Sequence, residues 1–88
     1  MLFPLGHTVV TLDALEFLSA ENVAPRSLVA RHAAGDFGDI AWQRVVDNEV
    51  AIRDGDDDVN SAYRVATRRV LVTTSRDRTQ TTIWMRGP

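Results

Sequence analysis

With 88 residues, no cysteine, and 44% apolar and 25% charged side chains, the chain has room for one domain (1–88), and its composition excludes disorder, a disulfide scaffold and a thiolate metal site. A domain this small buries only about 60–65% of the surface that its unfolded chain exposes, so stability must come from tight packing or a partner subunit. The net charge of −2 conceals a division: residues 1–63 carry four arginines against eleven carboxylates, a net −7, while residues 64–88 carry six arginines against Asp77 alone, a net +5.

The opening stretch Met1-Leu-Phe-Pro-Leu-Gly6 is apolar, but too short and too poor in basic residues for a signal peptide. No run approaches the roughly 18 apolar residues of a membrane helix, so a cytoplasmic protein with no membrane partner is expected. Residues 6–11 read as a short strand rich in β-branched side chains. Thr11 then caps a helix over Leu12–Ala20, with Leu12, Leu15 and Leu18 (and Phe17) on one face, Asp13 and Glu16 in its first turns, and Asn22 as a left-handed cap. Pro25 opens a second helix to Ala34, stopped by Gly35, with Leu28, Val29 and His32 facing inward. Residues 35–39 form a turn in which Asp39 is placed to cap a third helix, from Ile40 to about Arg53. Trp42, Val45, Val46, Val50 and Ile52 supply its expected buried stripe, and Gly55 its end.

From residue 58 the period shortens to two. Residues 59–65, 69–74 and 79–85 are three strands joined by links of hairpin length. In the last of them Thr79, Thr81, Ile83 and Met85 point to one face, and Gln80, Thr82 and Trp84 to the other. The expected class is α+β: three N-terminal helices packed on a C-terminal antiparallel β-meander, with the short N-terminal strand joining at an edge.

Several groupings bear on chemistry. The run Asp54-Gly-Asp-Asp-Asp58 with Asn60 has the early spacing of a calcium loop. It has Val59 where that loop needs glycine and Val65 where it needs a bidentate glutamate, so it reads as a solvated turn. His32 and Asp36 are four residues apart, but Gly35 interrupts the helix and no second histidine is near in sequence. A half-buried His32 bonded to a carboxylate or carbonyl is the expectation, with no metal and no cofactor. His32, Tyr63, Arg76, Arg78 and Thr81 are the residue types of a small ribonuclease of the barnase or RelE type, in which arginines stabilise the phosphorane and His or Tyr moves the proton. The acidic balance suits RNA poorly, and direct nucleic-acid binding is not expected. Every basic residue is arginine, which pairs bidentately with carboxylates and phosphates. Arg64, Arg68, Arg69, Arg76 and Arg78 read as charges guarding sheet edges, as the basic half of a homodimer in which −7 meets +5, or as a contact for a nucleic-acid-handling partner.

Ala30-Arg-His-Ala-Ala-Gly-Asp-Phe-Gly-Asp-Ile40, then Asn48, Ser61-Ala-Tyr63, and Asp77-Arg-x-x-Thr-Thr82 resemble, in the same order, a family of small bacterial proteins carried on plasmids and integrated mobile elements. The chain departs from that pattern at Ala41-Trp-Gln43, where the family is often acidic, at Leu71 in place of an aromatic residue, and at its non-acidic end. The resemblance implies an accessory function of a mobile element. By analogy of setting, that is a non-enzymatic protein-binding module inhibiting host defence, of anti-CRISPR or anti-restriction type. Asp36, Asp39, Asp47, Glu49, Asp54, Asp56, Asp57 and Asp58 are then the expected contact surface, their carboxylates occupying sites that hold nucleic-acid phosphates in the partner.

Overall fold

The computed structural model describes residues 1–87. Its elements are β1 (His7–Val10), α1 (Leu12–Ala20), α2 (Pro25–Ala33), α3 (Trp42–Asp54), β2 (Val59–Val65), β3 (Arg68–Thr74) and β4 (Gln80–Trp84). The class is α+β, three helices with one four-stranded mixed sheet in the order β1-β4-β3-β2. β2, β3 and β4 pair antiparallel with their chain neighbours. The expectation of a purely antiparallel meander needs correcting, because β1 adds beside β4 in parallel, His7 facing Gln80 and Val10 facing Ile83. A parallel neighbour requires a long crossover, and here the helices and the β2–β3 hairpin supply it. Among the described residues no helix is long and apolar enough to cross a membrane.

Two helices end by the same device. After α1, Val23 N–H donates to Leu18 C=O and Asn22 N–H to Ser19 C=O, with Asn22 left-handed at φ 59°. After α2, Asp36 N–H reaches Arg31 C=O and Gly35 N–H reaches His32 C=O. Both are Schellman closures that satisfy the last carbonyls. Thr11 stands at the N-terminal cap of α1 but does not bond its backbone amides. Its hydroxyl donates to the Asp13 carboxylate, which in turn accepts Ala14 N–H.

The sheet buries one face. Tyr63, Val70, Val72, Ile83 and Met85 form a core with Ala14 and Leu18 of α1 and Leu28 and Val29 of α2. The inward face of α1 is thus Ala14, Phe17 and Leu18, and Leu12 and Leu15, expected inside, are exposed. A second cluster joins Phe3, Phe37, Ala51 and Val59. There α3 departs furthest from expectation. It begins at Trp42, not Ile40, and buries Asn48 and Ala51, while Trp42 (74% exposed) and Val50 face solvent. The cause is position: the Asn48 side chain donates to Asn60 C=O at 2.7 Å and accepts Asn60 N–H at 3.0 Å, which sets α3 beside the edge strand β2 rather than over the sheet. A helix against an edge buries a narrow strip, not a broad apolar stripe.

Residues 37–39 close the rest of that edge. Ala62 N–H donates to Phe37 C=O, and Asp39 N–H donates to Ala62 C=O. Asp39 therefore serves the sheet and caps no helix. Gly38, at φ 75°, lies so near β2 that a Cβ would come within 2.2 Å of the Ala62 carbonyl oxygen, so only glycine fits.

Candidate functional site

The residues singled out as an acid–base set are brought only partly together, and not at a surface. His32 is wholly buried between α2 and the sheet. Its Nδ1 lies 2.6 Å from the Ser61 hydroxyl and its Nε2 2.9 Å from the Thr74 hydroxyl. Thr74 Oγ1 is 2.7 Å from Thr81 Oγ1, and the Thr81 hydroxyl donates to Leu5 C=O at 2.7 Å. A carbonyl only accepts, and a hydroxyl has one proton, so the direction of the whole chain follows. Thr81 spends its proton on Leu5, Thr74 donates to Thr81, His32 Nε2–H donates to Thr74, and Ser61 donates to the bare Nδ1. His32 is the neutral Nε2–H tautomer, held by hydroxyls rather than by the carboxylate or carbonyl expected. Burial lowers its pKa from the usual 6.5 to about 4. The edge of Phe3, with ring centroids 5.2 Å apart, completes its enclosure.

Tyr63 donates its phenol proton to Asp36 C=O at 2.6 Å, and burial pushes its pKa up to about 12. The Arg31 guanidinium lies over its ring at 4.5 Å while holding the Asp36 carboxylate through two bonds, of 2.7 and 3.3 Å. The Arg31 partnership holds the Asp36 carboxyl below the usual carboxylate range. The Asp36 carboxylate is thus paired with Arg31, while both ring nitrogens of His32 are bonded to hydroxyls. Arg78 donates to the carbonyls of Ala51, Asp57 and Ser75, tying the end of α3 to two loops. Arg76 lies exposed in the β3–β4 loop, its backbone N–H on the Asp58 carboxylate. None of His32, Tyr63, Arg76, Arg78 and Thr81 lines the groove that opens beside α3.

That groove, about 630 Å³, lies on the uncovered face of the sheet with α3 as one wall. Its floor is Ala62, Leu71, Thr73 and Trp84, and Ile40 and Val50 add apolar surface from the wall. Trp84 Nε1–H donates to the Thr73 hydroxyl, which donates to the Asn60 side-chain oxygen, so a cross-strand relay fixes the indole. Asp47, Asp56, Asp57 and Asp58 line the groove together with Arg44, Arg69 and Arg86. These charges are sorted along the strands, because β2 leads away from Asp58 toward Arg64.

Of the eight carboxylates expected to form one contact surface, the structure therefore separates two kinds. Asp36 pairs with Arg31, Asp54 with Arg53, and Asp39 with Arg64 at 3.5 Å. Asp47, Asp56, Asp57 and Asp58 make no ion pair among the described residues and share the groove. Glu49 is exposed on α3 outside it. The floor is not legible in the sequence: alternation sets Trp84 opposite Ile83 and Met85, but nothing local indicates that α3 will stand beside that face and make it concave. Comparison with protein-family models, curated proteins and solved structures finds no match.

Proposed function

We propose that this chain is a non-enzymatic protein-binding module that engages its partner in the groove between α3 and the open sheet face. Within that reading it is an inhibitor of a host nucleic-acid-handling defence complex, of the anti-CRISPR or anti-restriction kind that the sequence resemblance implies. The observation that carries the reading is the set of Asp47, Asp56, Asp57 and Asp58, four carboxylates that form no ion pair among the described residues, lining a groove with an apolar floor. Arg or Lys residues that hold nucleic-acid phosphates in the partner are their natural complements, and Trp84 with Leu71 gives the apolar contact that anchors an interface. The test is the variant Asp47→Lys/Asp56→Lys/Asp57→Lys, measured for binding to purified CRISPR effector and restriction complexes at low and moderate salt. Salt-sensitive binding that the variant loses supports the reading. Binding that ignores all three reversals removes it.

A second reading, the regulatory homodimer, is favoured by one feature: acidic and basic ends lie on the same face, so a two-fold axis through the groove sets each against the other. Sedimentation at low and high salt tests it, since such an interface dissociates as its charges are screened.

A further inference from the structure

The basic end of the open face contains an arrangement that the partner-binding reading does not use. Arg64 directly faces Arg69 across the β2–β3 pair. Arg64 and Arg69 therefore stand side by side on the open face, about 5 Å apart at their backbones. Leu71 faces Trp84 in the last pair of the β3–β4 ladder, and Arg86 follows two residues beyond the end of β4. Arg69 and Arg86 line the same two hollows, the groove and a smaller one of about 210 Å³, which places Arg86 beside that pair.

Like charges directly opposed on a sheet destabilise it, and this cluster has little to offset that. One carboxylate, Asp39, lies 3.5 Å from Arg64. Arg69 donates one bond, from Nη2 to Asp39 C=O at 2.7 Å, and Arg86 makes no hydrogen bond among the described residues but sits over the Trp84 ring at 5.6 Å. The segment that closes the β2 edge thus steadies two of the forks by one end, and most of their N–H donors stay free.

We propose that the cluster of Arg64, Arg69 and Arg86 is a binding site for a phosphoryl group. A carboxylate is satisfied by one guanidinium fork, whereas a tetrahedral dianion with several acceptor oxygens uses the donors of adjacent forks at once and neutralises more than one charge. Trp84 borders the cluster, so a nucleoside monophosphate can reach the arginines with its phosphate and the indole with its base. The site differs in place and in charge from the acidic end and does not depend on a protein partner.

The test titrates the full-length protein with inorganic phosphate and, separately, with adenosine monophosphate, by calorimetry and by the fluorescence of Trp84 in a Trp42→Phe background. Saturable 1:1 binding of either probe is expected. Arg69→Gln, and separately Arg86→Gln, should weaken it about tenfold or more, and Arg69→Lys should weaken it as well because the fork is lost while the charge is kept. Arg53→Gln, at an exposed site paired with Asp54, should leave it unchanged. Equal affinities for the two probes assign the site to the phosphate group alone; tighter binding of the nucleotide with a change in Trp84 emission adds the base. All these arginines are exposed, so the folded state of each variant is checked by its thermal transition. The proposal is overturned if neither probe saturates, if Arg53→Gln weakens binding as much as Arg69→Gln, or if the cluster proves to be covered by the acidic end of a second copy in a dimer that Arg69→Gln dissociates.

Discussion

The two faces of the sheet are both rich in polar residues and treat them in opposite ways. On the covered face Ser61, His32, Thr74 and Thr81 run as one directed hydrogen-bond chain to Leu5 C=O, and among the described residues no buried side-chain nitrogen or oxygen lacks a partner. On the open face Asp47, Asp56, Asp57, Asp58, Arg69 and Arg86 line a groove with no ion pair among them. Polar groups enclosed without partners destabilise, so the covered face must be complete; charges in water tolerate solitude and are available to something else. The difference teaches that His32, Tyr63, Arg78 and Thr81, residue types of an acid–base set, are engaged in holding the fold together, while the charges without ion-pair partners lie on the opposite face.

The largest expected effect sharpens this view of the covered face and its edge. Gly38→Ala adds a Cβ within 2.2 Å of the Ala62 carbonyl oxygen in a left-handed backbone, where nothing flexible can yield. We expect a loss of about 4 kcal/mol in chemical denaturation, a large part of the roughly 5–10 kcal/mol of a domain this size. A change below about 1 kcal/mol would mean that residues 37–39 are not held against β2.

Acid should break the same face through His32. The folded protein keeps the ring neutral down to about pH 4, while the unfolded chain takes up a proton near pH 6.5. Between those values the unfolded state binds more protons, so stability falls as pH drops through the window, by about 3 kcal/mol in all. Denaturation midpoints from pH 7.5 to 4 should show that slope, and His32→Gln should flatten it. If wild type and variant decline in parallel, the loss belongs to other groups.

These effects also mark what the sequence could and could not disclose. The period of two after residue 58 placed Thr81, Ile83 and Met85 against Gln80, Thr82 and Trp84 on their proper sides, because a strand alternates whatever it packs on. Pro25, Gly35 and Gly55 located helix ends, since their backbone constraints are local. Leu12 and Leu15 misled because helical spacing gives a face but not which face is covered. Asn48 was read only as part of a resemblance, and its burial depends on Asn60, twelve residues on, presenting an outward amide and carbonyl. The opening residues carried no recognisable signal, yet Phe3 is buried and Leu5 terminates the hydroxyl chain. The arginine cluster depends on the register of β2 with β3 and on where the chain runs after β4, and both are tertiary facts.

Asn48 joins the two faces, and altering it should have an intermediate effect. Asn48→Ala removes both bonds to Asn60 and leaves a backbone N–H and C=O at a partly buried edge, for an expected cost of about 2 kcal/mol. Asn48→Asp keeps an acceptor for Asn60 N–H but sets a carboxylate against Asn60 C=O, and should cost at least as much. Because this pairing holds α3 as the groove wall, both variants should also shift the emission of Trp84. A shift in stability without one in fluorescence would separate the edge from the groove.

The smallest expected effect on stability is the one that isolates the open face. Asp47, Asp56 and Asp57 make only local side-chain bonds, Asp47 to Gln43 and Asp57 to the next amide, and none is ion-paired. Reversing all three to lysine should change the unfolding free energy by less than about 1 kcal/mol, since exposed substitutions away from caps and networks are individually small. Its sign is informative. If those carboxylates repel one another without compensation, relieving the crowding should stabilise slightly at low salt and the gain should vanish as salt screens it. A loss of several kcal/mol would instead show that the acidic end is built into the fold as firmly as His32, and the contrast between a satisfied face and an available one would no longer hold.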